Sequence, residues 1–261
     1  MLKKDFLLSI DSKKIKYGLS RTRALLKVCK NPEKNLCAVQ VIGTNGKGST
    51  SAMLANTLIN NHYNTGLFTS PHLVHINERI RINHKNIPDS FINNFLTQYK
   101  EDILSIEPSF FEIMTVLSLY YFAHNNIDIA ILETGLGGTL DSVTAARAQI
   151  LIFTPIDYDH MSILGNSLET IAKEKAGAIN NKNQTLISAK QHTKVQNILN
   201  AVARANNNIV LYSDKQSLHF PLLASEHQQE NANLAAFSMR YIQEVYALPC
   251  SNNINHIQNT I

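Results

Sequence analysis

Val41-Ile42-Gly43-Thr44-Asn45-Gly46-Lys47-Gly48-Ser49-Thr50 decides how this chain is read. An apolar run containing Val39, Val41 and Ile42 stops at a glycine-rich turn. A lysine and two hydroxyl residues then open a helical pattern. That order is strand, loop, helix. Gly43, Gly46 and Gly48 let the backbone turn tightly and bring its N–H groups close to an anion. A helix starting near Ser49 adds its first free N–H groups and the positive end of its dipole. Lys47 adds a full positive charge, and Ser49 or Thr50 can reach a phosphate or its magnesium. The chemistry this builds is triphosphate binding. The spacing departs from the standard phosphate loop, Gly-x-x-x-x-Gly-Lys-[Ser/Thr]. Val41 takes the place of the first glycine, and Gly48 the place of the hydroxyl residue. The loop is therefore a shorter variant. Three glycines around one lysine at a strand end argue against an ordinary solvated turn.

Working outward, apolar runs alternate with helical periodicity. Strands are expected at Leu36 to Ile42, Thr65 to Thr69, Ile127 to Leu132, Gln149 to Phe153, Thr185 to Ser188 and Ile209 to Tyr212. Glu78 to Ile82 alternates polar and apolar residues, as a short exposed strand does. Helices are expected over 20–30, Ser49 to Asn60, Pro88 to about Lys100, Ser109 to Asn125, Leu168 to Ala178, Lys194 to Ala205 and Asn231 to Tyr246. Strands alternating with helices imply an α/β fold with a mostly parallel sheet covered on both faces. Ligands of such sheets bind beyond the carboxyl ends of the strands. Gly43 to Ser49, Ser70, Glu133 to Gly138 and Asp157 to His160 all fall there. Only ten glycines occur, and six of them are at 43, 46, 48, 135, 137 and 138. Such concentration beside strand ends points to backbone contact with a ligand.

Composition bounds the rest. The 261 residues can bury a sizeable core. Twenty-four basic against 20 acidic residues leave a charge of +4, too mild and scattered to indicate nucleic acid. Three cysteines (Cys29, Cys37 and Cys250) form no Cys-x-x-Cys pair, so neither a zinc site nor a disulfide framework is indicated. A reducing cytoplasm fits. No signal peptide is evident at the start, and no stretch is long and apolar enough to span a bilayer.

Glu133 ends a core strand and precedes Thr134-Gly135-Leu136-Gly137-Gly138. A carboxylate there suits magnesium, a hard cation that takes oxygen ligands. A neighbouring phosphate loop favours that role over a solvent-facing glutamate. His160, in Ile156-Asp157-Tyr158-Asp159-His160, ends another strand, but a lone histidine is more often structural or solvated. Lys173-Glu174-Lys175-Ala176-Gly177 lies late in a helix, where a charge run is usually the wet face. Ser70 offers a hydroxyl in a strand-ending Ser-Pro-His, where most serines only close a turn.

Together these motifs resemble the folylpolyglutamate synthase and dihydrofolate synthase family, within the Mur-ligase-like group of ATP-dependent amide-forming ligases. The matching segments include Gly43 to Ser49, Thr69-Ser70-Pro71-His72-Leu73 with Asn77-Glu78-Arg79-Ile80, and Phe110-Phe111-Glu112. Glu133 to Gly138 with Leu140-Asp141, Asp159-His160 with Leu164-Gly165, Glu174-Lys175-Ala176-Gly177 and His227 to Ala232 follow in family order. The set covers nearly the whole chain and is specific as a set.

The resemblance implies a phosphate-loop-type Mur ligase central (ATPase) domain and assigns roles. Gly43, Thr44, Asn45, Gly46, Lys47, Gly48, Ser49 and Asn231 would bind ATP. Ser70, Glu133 and His160 would ligate magnesium, which reverses the local reading of His160. Lys47, Glu133, His160 and Lys175 would be catalytic, with Lys175 carbamylated. Ser109, Phe110, Phe111, Glu112, Leu140, Asp141 and Ser142 would line a pterin site. The implied reaction joins L-glutamate to dihydropteroate or a folate through an acyl phosphate. Its partners are small molecules, with neither nucleic acid nor membrane. A monomer is the default, and a separately encoded C-terminal domain is the one protein partner suggested.

Thr134 stands where the family more often has valine, and Ser225 near a usual glycine. Residues 1–248 read as the ATP-binding domain and 249–261 as a linker or frayed tail. The Pro-Gly-Arg linker and the second domain of the family do not appear before Ile261. The expectation from sequence is an ATPase domain with weak or no ligase turnover alone. A non-catalytic nucleotide-binding remnant, or half of a split ligase, is the alternative.

Overall fold

The computed structural model describes residues 6–7, 18–158, 161–213, 220, 222–223 and 225–247. Asp159, His160 and the expected tail 249–261 lie outside the described residues, as does most of the chain start.

β1 (Ala38–Ile42) is buried at every position. Its β-branched side chains suit the pleated backbone, and a strand covered on both faces needs no polar alternation. It sits at the centre of an eight-stranded sheet, parallel to β5 (Ile129–Glu133) on one side and β6 (Ile150–Phe153) on the other. β2 (Thr65–Phe68) continues in parallel beyond β5, and β7 (Thr185–Ser188) then β8 (Val210–Tyr212) beyond β6. β3 (Ile80–Ile82) and β4 (Lys85–Asn86) are antiparallel and finish the β2 edge. The order is therefore β4-β3-β2-β5-β1-β6-β7-β8. The chain moves outward to one side after β1 and to the other after β6. That reversal opens a crevice at the carboxyl ends of the central strands, the usual ligand position in such sheets.

In chain order the helices are α1 (Ser20–Val28), α2 (Lys47–Asn60), α3 (Asp89–Gln98), α4 (Lys100–Ile106), α5 (Phe110–His124), α6 (Met161–Leu164), α7 (Leu168–Ala176), α8 (Thr193–Ala205) and α9 (Glu226–Val245). α2 and α9 pack together over one face of the sheet, where Met53, Leu54, Leu58, Ala235 and Ile242 are fully buried. The other face is covered mainly by α1, α5, α7 and α8. Each fully buried large apolar side chain contributes about 1.5–3 kcal/mol relative to exposure.

The mostly parallel, helix-covered sheet expected from the sequence is the fold observed. Several local expectations are corrected. α2 begins at Lys47, two residues before Ser49, because Gly46 adopts a left-handed conformation (φ 81°) that starts the helix at once. The helix expected from Pro88 to Lys100 breaks at Tyr99, and α4 carries on to Ile106. Glu78 to Ile82 is a 3-10 turn (Ile76–Arg79) followed by β3, with Arg79 and Ile80 buried rather than exposed.

Candidate functional site

Gly43 ends β1 against the end of β6. A Cβ at Gly43 would lie 1.9 Å from Thr154 Oγ1, so no side chain fits there. The amides of Thr44 and Asn45 donate to Pro155 O at 3.0 and 3.3 Å. The Thr44 hydroxyl donates to Asp157 O (3.0 Å) and accepts the Asp157 amide (3.1 Å). These bonds fasten the first half of the loop to the segment after β6. The second half is the start of α2, which no side chain caps. The amides of Lys47, Gly48 and Ser49 thus have no partner within the helix, and with the helix dipole they form an anion site. Lys47 Nζ folds back over its own loop, donating to Gly43 O and Thr44 O, both at 3.1 Å.

Glu133 ends β5 beside this loop. Its Oε1 would stand 3.5 Å from a Cβ at Gly48, and its Oε2 accepts the Ser70 amide at 3.0 Å. Burial pushes its carboxyl up to about 7, although the Ser70 amide and the charges of Lys47 and Arg79 pull the other way. Among the described residues Glu133 makes no salt bridge. A nearly buried carboxylate without an ion-pair partner, next to the Ser70 residue and the phosphate loop, is a donor set that fits a hard divalent cation. Lys47, Glu133, Ser70 and the glycine loop are therefore brought together as the motifs suggest. His160 lies outside the described residues.

The second glycine cluster behaves differently. Asp141 accepts the Leu136 amide (3.0 Å) on Oδ2 and the Val143 amide (3.0 Å) on Oδ1, and the amides of Gly135 and Gly137 add to the pull on its charge. Burial raises its carboxyl from the ordinary carboxylate range against the pull of those amides. Glu174 Oε1 accepts the amides of Gly138 (3.4 Å) and Leu140 (3.3 Å), while its carbonyl takes the Thr139 amide (3.0 Å). The amides of Leu136, Gly138, Thr139 and Leu140 thus end on Asp141 or Glu174, and those of Gly135 and Gly137 lie close to the Asp141 carboxylate. The expected backbone contact with a ligand is, at this cluster, contact with the protein's own acids. Thr144 Oγ1 adds a bond to Gly138 O (2.6 Å) and accepts from Gln40 of β1 (2.9 Å).

Lys175 is fully buried, not on a wet face. Its Nζ donates to Gly43 O and Leu136 O, each at 2.8 Å, and so joins the two glycine loops.

Ser109 and Glu112 form a capping box at the start of α5. Glu112 also meets Arg21 Nε at 3.1 Å, so it is fully engaged in holding α5 to α1. Phe110 is buried under the Arg79 guanidinium, 5.2 Å from its ring centroid. Phe111 and Asp141 converge on Gly135, where a Cβ would meet them at 2.8 and 3.4 Å. Ser142 Oγ lies 2.7 Å from Thr115 Oγ1. Leu140 is more exposed than the others, at 42%. Asn231, on α9, presses against the phosphate loop: a Cβ at Gly46 would lie 2.1 Å from its Oδ1.

Sequence reasoning missed several residues of this cluster. Gln228 Nε2 donates to Ser49 Oγ at 3.4 Å, and its Oε1 accepts from Asn231. Thr154 and Glu174 were missed as well, because their partners lie far away in sequence, as was Thr144, whose partner Gln40 lies 104 residues away. Only the position of Gln228 three residues before Asn231, one helical turn, could have signalled it.

A parallel sheet whose central strand runs into a glycine–lysine loop, with a buried carboxylate at the next strand end, defines a phosphate-loop α/β protein. The chain belongs to the Mur ligase family: residues 41–255 match the Mur ligase middle domain. It is 41% identical over 172 residues to a dihydrofolate synthase/folylpolyglutamate synthase of Bacillus subtilis, covering 63% of this chain and 40% of that relative. It is 35% identical over 208 residues to dihydrofolate synthetase of Saccharomyces cerevisiae, covering 77% of this chain and 49% of that protein. The structure of Mycobacterium tuberculosis folylpolyglutamate synthase complexed with ADP superposes with a TM-score of 0.84 at 26% identity, over 98% of this chain and 64% of that one. The chain thus spans 40% and 49% of the length of these two curated relatives. No helix among the described residues is long and apolar enough to cross a membrane.

Proposed function

We propose that this chain is the nucleotide-binding part of an ATP-dependent ligase of folate metabolism, acting in the cytoplasm and joining L-glutamate to dihydropteroate or to a folate. One observation carries the reading: the uncapped amides of Lys47, Gly48 and Ser49 open beside a buried, unpaired Glu133. The relatives supply the substrate class, and the nucleotide-bound structural neighbour supports ATP.

A carboxylate is too poor an electrophile for an amine to attack. Transfer of the terminal phosphoryl group of ATP gives an acyl phosphate, which the amino group of L-glutamate attacks as phosphate leaves. In this reading the loop amides hold the phosphate oxygens in line, and Lys47 neutralises charge on the group in transit. Positioning and electrostatics do most of such catalysis. Glu133 and Ser70 would hold a magnesium ion, which would supply neutralising charge to the phosphate groups. Asn231 and Gln228 would close the nucleotide side of the loop. Phe111 and the residues around it, Ser109 to Glu112 and Leu140 to Ser142, would form the pterin end, with Glu112 and Asp141 fixing its backbone rather than touching the ligand.

The test is calorimetric titration of this polypeptide with ATP and magnesium, run beside phosphate release that depends on both dihydropteroate and L-glutamate. Saturable binding that falls about 100-fold in Lys47→Ala, or some 2.7 kcal/mol, supports the reading. Equal affinity in the two proteins would sink it. Glutamate-dependent release at the rate of a full-length ligase would overturn the expectation that this part turns over weakly or not at all alone.

A further inference from the structure

At the opposite pole of the sheet a cavity of about 740 Å³ opens below the start of β1 and the segment entering β6. It is separated from the phosphate loop by the length of β1, about 15 Å at strand rise. Four cations line it: Arg23, Lys27, Lys34 and Arg147. Arg23 and Lys27 stand one turn apart on α1, and Lys34 lies on the 3-10 turn Pro32–Asn35. Arg147 follows the 3-10 turn Ser142–Ala146 in a left-handed conformation (φ 53°). Glu33 is the one acid among the lining residues. Among the described residues none of the four cations makes a salt bridge. Tyr246 closes one wall, and its hydroxyl is already spent on Ala38 O at 2.7 Å, so it presents its ring.

A chain of net charge +4 has no general need to collect four positive groups around one hollow. Like charges gathered there raise the local potential and draw in counter-ions. Guanidinium forks and ammonium groups together suit multivalent oxyanions. The volume is in the range of small-molecule sites. We propose that this cavity is a second, separate binding site for a small multivalent anion bearing phosphate or carboxylate groups. It does not depend on the reading of the phosphate loop, which lies at the other end of the sheet.

The experiment is a titration of the ¹⁵N-labelled full chain, followed by amide shifts, with inorganic pyrophosphate in one arm and citrate in the other at fixed ionic strength. Residues 145–149 and 33–38 are expected to shift saturably with at least one anion, and the tighter arm names the source. In Arg23→Ser/Arg147→Ser, and independently in Lys34→Ser, affinity at these amides should fall, by about tenfold or more in the double variant. Shifts at residues 43–50 should not change between these proteins. All three substitutions are at exposed positions, and an unaltered spectrum elsewhere reports an intact fold. The proposal is overturned if 145–149 do not respond to either anion, or respond equally in wild type and double variant. Failure at 43–50 alone would instead count against the nucleotide site.

Discussion

The two glycine clusters look alike in sequence and are built for opposite purposes. Gly43, Gly46 and Gly48 sit in a loop whose later amides belong to an uncapped helix. Gly135, Gly137 and Gly138 sit in a loop whose amides are taken by Asp141 and Glu174. Both follow a central parallel strand, and both need close backbone approach. What separates them is where the acceptor comes from. The first loop leaves its donors for an external anion, whereas the second carries its own. Glycine at a strand end therefore marks a ring of amides, and only the surrounding acids tell whether that ring is vacant for a ligand.

This comparison predicts that damage to the second loop reads out as stability and damage to the first as binding. The largest effect is expected for Asp141→Ala. Removing a buried acceptor of several amides should cost about 3–5 kcal/mol, measured by urea unfolding. A loss below about 1 kcal/mol would mean that water replaces the carboxylate and the loop is not self-contained. Next comes Lys175→Met, which removes bonds to both Gly43 O and Leu136 O. Each buried carbonyl left without its donor costs about 1–3 kcal/mol. Because this residue ties the loops together, it should lower both stability and ATP affinity, whereas every other change in the set moves mainly one.

Gly46→Ala tests the phosphate loop by geometry. The added methyl would collide with Asn231 in a left-handed backbone, at a cost of about 1–2 kcal/mol, visible as weaker nucleotide binding by calorimetry. Asn231→Ala should cost less, about 1 kcal/mol of binding, with an unchanged unfolding midpoint. If Asn231→Ala unfolds the protein instead, the contact is structural and α9 is not part of the site. The smallest effect is expected for Glu174→Gln. Its amide oxygen can still accept from Gly138 and Leu140, so the unfolding midpoint should move by no more than about 1 kcal/mol.

Much of this architecture was legible in the chain. The apolar run into Gly43, the glycine–lysine loop and the helix behind it state the central βα unit directly, and the alternation that follows states a parallel sheet. Boundaries went astray where a local device overrides periodicity. Gly46 starts α2 at Lys47. Ser225 accepts the Gln228 amide as an N-cap and starts α9 at Glu226, five residues before the apolar pattern begins at Asn231. Tyr99 divides what reads as one helix. In the site, Lys47, Glu133 and Ser70 could be nominated because each carries its chemistry beside a strand end. The roles of Glu174 and Lys175 could not. Their partners are 34 to 39 residues away at the second loop and 132 away at Gly43, and a charge run on a helix looks solvated until the fold buries it. Thr134, where the family resemblance leads one to expect valine, has a local role: its hydroxyl and its amide both donate to Val41 O.

Amide hydrogen exchange read by mass spectrometry, with and without ATP and magnesium, tests the contrast most directly. The account predicts that in peptides spanning 43–50 the amides of Lys47, Gly48 and Ser49 exchange readily in the free protein and become protected on binding, while 135–142 are slow from the start and change little. Protection gained at 135–142 with none at 43–50 would contradict it.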